Sequence, residues 1–348
     1  MPRSRSVRSE IRKGTLGLLT CIAFSGCASS PPPAIVLTTD IGVETDDQWA
    51  LAYLALLHQA GRVDLRAVVT THAPSLAAPA SESSRAAALE VLRRVALTAP
   101  PRHEENDFFY QRYEKGGEAS PPKKPPRLLA GASTPLVPVA GRAEPGPGGK
   151  AILEAARGFD RSRRLSVLSI GAATDVADAL RSDPTLADRI QIIAMGFEQW
   201  PRGGDPWNVK NDPLAYRILL ASNVPLTIGA ADVCVRDLAL DAGDARRITE
   251  GGGSLGVYLR DVFEAWVAKE DELCRKYTGR AAWPIWDVVT IAAALGWADV
   301  ETRPRPRLRE DLTFELSPAQ GELAWITRVD EARVWSDFQS LLVRSARR

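Results

Sequence analysis

The sequence predicts an α/β fold, with a mainly parallel, twisted sheet and helices on both of its faces. Short apolar runs alternate with segments of helical periodicity, which is typical of parallel sheets. The runs are apolar along nearly their whole length, as expected of strands buried on both faces. Of the 348 residues, 45% are hydrophobic and 25% charged, a composition that supports a large core. We predict one folded domain over residues 34–348.

Each predicted strand is a short, β-branched apolar run bounded by polar loop residues. We predict strands at residues 34–39, 65–71, 165–170, 190–195 and 225–229. The helices are predicted from apolar residues that recur on one face, such as Ala50, Leu54 and Leu57 in the first helix. We predict helices at residues 47–60, 84–94, 150–157, 174–181, 213–222, 255–276, 288–295 and 332–343.

Three other segments carry local signals. Residues 100–149 contain the runs PPKKPP and EPGPGG, which predict loop or partly disordered chain. Asp212 and Pro213 form a strong helix start. The aspartate side chain can cap free N–H groups, and proline, which has no backbone N–H, stands at the first helical position, where that donor is not needed. Residues 312–316 and 323–329 are predicted to form a terminal hairpin.

The first 27 residues have the pattern of a targeting segment. Basic residues precede an apolar run at residues 16–24 that is too short to span a bilayer. The run ends in Phe24-Ser25-Gly26-Cys27, which resembles a bacterial lipobox with Phe in place of the preferred Leu. We predict a lipoprotein signal peptide, acylation of Cys27, a linker at residues 28–33 and anchoring to the cell envelope, on the periplasmic or outer-surface side. An ordinary secretory signal and a cytoplasmic N-terminus are the alternatives.

The composition also limits partners and cysteine chemistry. A formal net charge of +1 supplies no global field that would gather nucleic acid or anionic lipid. We therefore expect a small-molecule ligand and no nucleic acid, with membrane contact through the N-terminal lipid; a homo-oligomer stays open. If Cys27 is acylated, Cys234 and Cys274 form either one disulfide or, as we favour, two separate buried thiols.

Four acidic residues lie within eight positions where the first strand ends and the first helix begins. Helix N-capping explains one or two of them, since carboxylates are favourable at a helix N-terminus, but not four. Gly42 permits a tight turn that lets Asp40 and Asp47 converge on one point. Converging carboxylates with no His or Cys nearby in the sequence suit a hard cation such as Ca²⁺.

These residues resemble the start of the inosine/uridine-preferring nucleoside hydrolases. Thr38 to Gly42, followed by Asp46-Asp47, is similar to the longer variant of that family's Asp-x-Asp-x-Gly-x-Asp-Asp motif. Later blocks agree in order and spacing with the family's Gly-Pro-Leu-Thr-Asn turn, its sugar-binding Asn segment and its His-Asp pair. The three blocks are Ser169 to Asp175, Met195 to Pro213, and Pro284 to Asp287. The resemblance covers about residues 34–345 and implies the nucleoside hydrolase fold.

The resemblance implies a set of site residues. Ca²⁺ would be bound by Asp40, Asp47, Asp287 and the backbone carbonyl of Thr174. Asp46 and Asn208 would hold the sugar, and Asp40 would act as the general base on a metal-bound water. The implied function is calcium-dependent hydrolysis of the N-glycosidic bond of nucleosides, leaning toward purines, or of a related glycoside. The alternative is a non-catalytic lipoprotein that binds a nucleoside or sugar with calcium.

Several positions depart from the family pattern. Trp286 replaces the family's His, so no imidazole is expected there to protonate the departing base. Trp207 and Trp286 could stack on that base, although a tryptophan is as often part of the core. Pro206 stands where the family often has a sugar-binding Glu. His72 follows the second strand in place of a Gly-Asn pair, where it contacts either the ligand or solvent. These departures leave the substrate open.

Overall fold

The centre of the molecule is an eight-stranded sheet. A computed structural model describes residues 31–97, 124–138, 144–316 and 321–347. Its strands are β1 (Ala34–Thr39), β2 (Asp64–Thr70), β3 (Arg127–Ala130), β4 (Leu165–Ser169), β5 (Ile190–Met195), β6 (Leu226–Gly229), β7 (Ala239–Asp241), β8 (Ala282–Pro284), β9 (Ala298–Pro304), β10 (Arg307–Leu308), β11 (Phe314–Glu315) and β12 (Glu322–Val329). The central sheet has the order β3-β2-β1-β4-β5-β6-β12-β9, and only the β12–β9 pair in it is antiparallel.

Helices follow most of the strands. They are α1 (Asp46–Gln59), α2 (Ala80–Arg94), α3 (Pro147–Ala155), α4 (Thr174–Ser182), α5 (Asn208–Asn211), α6 (Pro213–Ala221), α7 (Ala231–Asp237), α8 (Ala242–Thr249), α9 (Gly253–Lys269), α10 (Asp271–Thr278), α11 (Val288–Ala294) and α12 (Glu331–Ala346). Within the described ranges, no helix is both long enough and apolar enough to cross a membrane.

Two hydrophobic cores lie on opposite faces of the sheet. Ile35 and Leu37 of β1 belong to one core, which also contains the apolar side chains of α1. Ala34 and Val36 of the same strand belong to the other, together with the inner faces of α3 and α4. Because successive residues of a strand point to opposite faces, this division confirms that helices cover the sheet on both sides.

The strand register sets where the site forms. Thr39 at the end of β1 pairs with Thr70 of β2, and Thr38 pairs with Ser169 of β4. The loops that follow these three parallel strands therefore leave from one edge of the sheet. Ligand sites in such sheets lie at this carboxyl edge.

Most predicted elements are confirmed, and three expectations need correction. Residues 312–316 and 323–329 do not pair with each other: β11 pairs with β10, and β12 lies between β6 and β9. The predicted helix at 255–276 is two helices, α9 and α10, separated at Glu270. The region predicted to be irregular contains the short strand β3 and the start of α3, while residues 98–123 and 139–143 lie outside the described ranges.

The cysteines behave as favoured from the sequence. Cys234 and Cys274 are both buried and both free, so they form two separate thiols. The predicted signal peptide and Cys27 lie outside the described residues.

Candidate active site and metal centre

The acidic loop after β1 turns sharply into α1. Gly42 adopts a φ of 110°, a left-handed conformation that glycine accepts without strain. The turn places Asp40, at the end of the strand, beside the first turn of the helix. Asp46 and Asp47 are the first two residues of that helix.

Three carboxylates meet at this edge of the sheet. One carboxylate oxygen from each of Asp46, Asp47 and Asp287 lies within 4.8 Å of the others, and all three residues are buried. Asp287 reaches the cluster because it directly precedes α11. The Thr39 hydroxyl donates a hydrogen bond to Asp47 Oδ1 and fixes its orientation. We call these three residues the carboxylate trio.

The electrostatics of the carboxylate trio fit a bound cation. Burial, followed by the charges of neighbouring aspartates, raises the pKa of Asp47 and of Asp287 well above the ordinary value, and burial raises the pKa of Asp46 to about 6. Asp46 Oδ1 and Asp287 Oδ2 are buried without a hydrogen-bond partner among the described residues. Buried carboxylates in this position must be protonated or paired with positive charge. Oxygen ligands alone suit a hard divalent cation.

Asp40 lies beside the carboxylate trio and not within it. Its Oδ2 accepts a hydrogen bond of 3.3 Å from Trp207 Nε1. Its charge still reaches the cluster, since it contributes to the raised pKa values of Asp47 and Asp287. Burial and then the charge of Asp46 raise the pKa of Asp40 itself to about 7. The sequence analysis placed Asp40 among the cation ligands and Asp46 at the sugar, whereas it is a carboxylate oxygen of Asp46 that lies with those of Asp47 and Asp287 in the structure.

Asn208 and Trp207 arrive from the segment after β5. Asn208 Nδ2 donates to the backbone oxygens of Ile170 at 3.1 Å and Met195 at 3.2 Å, so it joins the ends of β4 and β5. The preceding residue is held by Asp205, whose Oδ1 accepts from Trp207 N at 2.6 Å. Hydrogen bonds therefore hold the side chain of Asn208 and the backbone of Trp207 in place.

A cavity of about 510 Å³ opens above these groups. Asp40, Asn208 and the carboxylate trio are part of its lining. Six aromatic side chains also line it, namely Phe197, Trp207, Trp266, Tyr277, Trp283 and Trp286. Acidic groups and aromatic rings in one cavity match a molecule that carries hydroxyl groups and a flat ring.

A family of known proteins matches most of the sequence. Residues 35–336 match the family described as inosine-uridine preferring nucleoside hydrolase. The chain belongs to this family. It is therefore a hydrolase that acts on N-glycosyl bonds, and the resemblance inferred from the four sequence blocks is confirmed. No match was found among curated protein sequences.

Solved structures of nucleoside hydrolases share the fold. A plant nucleoside hydrolase has a TM-score of 0.65 and 17% identity, with 90% of this chain and 99% of that chain covered. A purine-preferring ribonucleoside hydrolase from Gardnerella vaginalis has a TM-score of 0.67 and 15% identity over the same shares. An inosine-uridine preferring nucleoside hydrolase from Bacillus anthracis has a TM-score of 0.59 and 15% identity, again over 90% and 99%.

Two predicted site residues of this nucleoside hydrolase lie away from the cavity lining. Thr174 is the first residue of α4, where a backbone carbonyl is directed along the helix, and its hydroxyl donates to Asp212 Oδ2 at 2.7 Å. His72 is buried, with Nε2 3.0 Å from the same Thr174 hydroxyl. The backbone segment that lines the cavity near the end of β4 is Ile170 instead.

Sequence reasoning missed the part of the cavity lining that comes from α9, α10 and the residue between them in this nucleoside hydrolase. Trp266, Lys269, Glu270, Lys276 and Tyr277 come from α9 and α10 and the residue between them. They lie more than 200 positions after the acidic loop and form no local motif with it. Asp205 could have been predicted from the sequence, because an acidic residue two positions before Trp207 can accept a hydrogen bond from the backbone N–H groups of the turn.

Proposed function

We propose that this nucleoside hydrolase requires calcium, favours purine nucleosides and acts at a bacterial cell envelope. The observation that carries the proposal is the buried carboxylate trio, with its unpartnered oxygens, next to Asp40 at the base of the cavity.

Asp46, Asp47 and Asp287 would hold the calcium ion. Ca²⁺ prefers several oxygen ligands and tolerates irregular geometry, which three carboxylates on two helix N-termini can supply. When bound, such an ion lowers the pKa of a coordinated water and orients it. Without a cation, the pKa values of the carboxylate trio are raised, so its carboxyl groups hold protons at acidic pH. Because protonated carboxyl groups are poor ligands, the trio would bind the metal weakly at acidic pH.

Asp40 would act as the general base. Its pKa of about 7 is set by burial and by Asp46, and neutralisation of that neighbour by a cation would lower it. Asp40 would then be ionised at neutral pH and able to accept a proton from the attacking water. The Trp207 Nε1–H group holds the carboxylate in place. The aspartates around the sugar would also stabilise the positive charge that develops on its ring.

Sugar and base would both occupy this cavity. Asn208 lies among the acidic groups and would hydrogen-bond the sugar hydroxyls, together with Asp46 where the ion leaves it free. Trp207 and Trp286 lie in the aromatic lining, where they would stack on a large flat base. A purine offers more stacking area than a pyrimidine, which supports the purine preference.

The second candidate is a protein that binds the nucleoside with calcium but does not cleave it. One observation favours it: the described residues that line the cavity include no histidine to protonate a departing base. Binding would use the same carboxylates and aromatic rings, so turnover has to be measured directly.

The test is release of reducing sugar from a panel of purine and pyrimidine nucleosides. The proposal expects release that disappears with a chelator, returns with Ca²⁺ and falls at least 100-fold in Asp40→Asn. Asp299→Asn is the matched control, because the side chain of this exposed aspartate forms an ion pair with Arg328 at 3.7 Å and is not part of the cavity lining. Calcium-dependent nucleoside binding without any release would favour the second candidate.

The envelope location rests on the sequence of residues 24–27. Acylation of Cys27 would tether the protein by its lipid chains. Recovery of the protein in the membrane fraction, and its loss from that fraction in Cys27→Ser, is the expected result; an unchanged distribution of the variant would contradict the anchor.

A further inference from the structure

Asp205 joins two backbone segments that line the cavity. It lies between β5 and α5 and is buried. Its Oδ2 accepts a hydrogen bond from Phe197 N at 3.0 Å, and its Oδ1 accepts one from Trp207 N at 2.6 Å. All three residues line the cavity. One buried carboxylate therefore ties the start of this loop to its end.

The contact with Phe197 holds an unusual backbone conformation. Phe197 lies two positions after β5 and has a φ of 72°, in the left-handed region that residues other than glycine rarely adopt. Such a conformation persists only where the surroundings fix it. Here the Phe197 N–H donates to Asp205, and the Phe197 carbonyl accepts from Ala231 N at 3.0 Å. The path of the chain as it leaves β5 therefore depends on Asp205.

The contact with Trp207 reaches Asp40. The indole Nε1 of Trp207 donates to Asp40 Oδ2 at 3.3 Å, which is long for a hydrogen bond of this type. A small displacement of the ring would therefore break the bond. The backbone of Trp207 sets the position of the ring, and Asp205 holds that backbone.

The neighbouring Asn208 has anchors of its own. Its Nδ2 donates to the backbone oxygens of Ile170 and Met195, at the ends of β4 and β5. Loss of the Asp205 carboxylate should therefore move the Trp207 ring more than the Asn208 side chain. The general base and the contact expected with the sugar thus depend on Asp205 to different extents.

We propose that Asp205 is a positioning residue for the hydrolysis, which fixes the orientation of the Asp40 carboxylate through the backbone and the indole N–H of Trp207. This inference rests on the proposed function, because Asp40 is the general base of the same reaction. It accounts for a carboxylate that is buried against two backbone N–H groups and forms no ion pair among the described residues.

The kinetic test uses Asp205→Asn with Ca²⁺ and the nucleoside of the panel that is cleaved fastest. Asparagine keeps the shape of the side chain but replaces one acceptor oxygen with a donor, so at least one of the two backbone contacts is lost. We expect kcat to fall by about 10-fold or more and KM to change by less than about 3-fold, since the general base is misplaced while Asn208 stays anchored. Thermal melting checks that the variant is folded. An unchanged kcat in folded Asp205→Asn would overturn the inference.

Asp160→Asn is the matched control for this substitution. Asp160 also accepts from two backbone N–H groups, those of Ser162 at 2.8 Å and Arg163 at 3.2 Å. It is exposed and is not part of the cavity lining. Its kcat and KM are expected to equal those of the wild-type protein.

A double-mutant cycle separates positioning from a general loss of structure. Trp207→Phe keeps an aromatic ring and removes the indole N–H. If Asp205 acts through that group, Asp205→Asn should lower kcat by less than about 3-fold in the Trp207→Phe background, because two residues that act along one path are not additive. Equal factors in the two backgrounds would overturn the inference.

A third measurement does not need turnover. Hydrogen exchange of the Trp207 indole N–H is followed by NMR of protein labelled with ¹⁵N-tryptophan, and Trp207→Phe assigns the signal. Asp205→Asn is expected to speed this exchange by about 10-fold or more, and Asp160→Asn to leave it unchanged. If the wild-type protein cleaves nucleosides but Asp205→Asn alters neither kcat nor the exchange, only the inference fails. If the wild-type protein cleaves none, the proposed function fails, and the role of Asp205 in hydrolysis fails with it.

Discussion

Thr174 shows how a single hydroxyl can organise the edge of the sheet. It donates to Asp212 Oδ2, so its oxygen is left to accept from His72, which fixes the proton of His72 on Nε2. Asp212 also accepts from Leu136 N at 2.8 Å and from Ala215 N at 2.9 Å. This buried chain of hydrogen bonds connects the loop after β2, the start of α4 and the cap of α6.

Replacement of that hydroxyl should therefore destabilise the protein. Thr174→Val keeps the shape of the side chain but leaves the His72 N–H without a partner, which is expected to cost about 1–3 kcal/mol of unfolding free energy. Thr174→Ser retains the hydroxyl and should cost less. Urea unfolding of both variants measures the difference; a valine variant as stable as the serine variant would refute this role.

At the level of residues, the sequence predicted that distant carboxylates meet. It did not predict which carboxylate of the acidic loop joins them. Asp47 and Asp287 were expected to meet, and both belong to the carboxylate trio, although 240 positions separate them. Asp40 and Asp46 could not be ordered, because both leave the same tight turn and only its three-dimensional path decides which one faces Asp287. Thr174 was expected near the ion by resemblance; in the structure it is the first residue of α4 and is not part of the cavity lining.

At the level of elements, the site depends on the close approach of β1 and β4. Gly171 follows β4 and lies against Asp40: a methyl group there would be 2.6 Å from Asp40 Oδ1 and 2.8 Å from its backbone N. Only glycine fits without a shift of the chain, because the backbone N cannot move aside as the end of a flexible side chain could.

Gly171→Ala should therefore displace Asp40 and reduce kcat by about 10-fold or more, in keeping with the sensitivity of catalysis to small misplacements. Gly146→Ala is the matched control, since its methyl group would meet Asp178 Oδ2 at an ordinary 3.6 Å. Steady-state kinetics on both variants is the measurement. An unchanged kcat in Gly171→Ala would show that the contact does not position the base.

The strands of the sheet were predictable to different extents. β1, β4 and β5 are apolar runs between polar loops, and the sequence located them within one residue. The pairing of β12 was not predictable, because β12 pairs with β6 and β9, which are distant in the sequence, and not with the strand that immediately precedes it. β3 has only four residues, too few to establish a period.

At the level of the whole molecule, the buried acids should make stability depend on pH. Asp175 is an example outside the carboxylate trio: burial raises its pKa to about 7, and it accepts a hydrogen bond from Ala132 N at 3.0 Å. An unfolded aspartate has a pKa of about 3.9. Between these values the folded protein holds a proton that the unfolded chain releases. The contribution of this proton to the free energy of unfolding is complete below about pH 4. It is lost as the pH rises to about 7, by roughly 1.4 kcal/mol per pH unit.

Asp175→Asn should remove this dependence, because asparagine does not titrate. With Ca²⁺ at saturation, urea unfolding at pH 5 and pH 7 should show that the wild-type protein loses about 2 kcal/mol more than the variant over this interval. Parallel losses in the two proteins would mean that Asp175 titrates near its ordinary pKa.

At the level of the whole molecule, the proposed function requires that the carboxylate trio bind a divalent cation. The most direct test is calorimetric titration of Ca²⁺ into chelator-treated, dialysed protein at pH 7.5. We expect one ion per chain, with affinity reduced at least 100-fold in Asp287→Asn and unchanged in Asp299→Asn. Absence of saturable binding, or binding that survives Asp287→Asn at full strength, would contradict the assignment of this cluster as the metal centre.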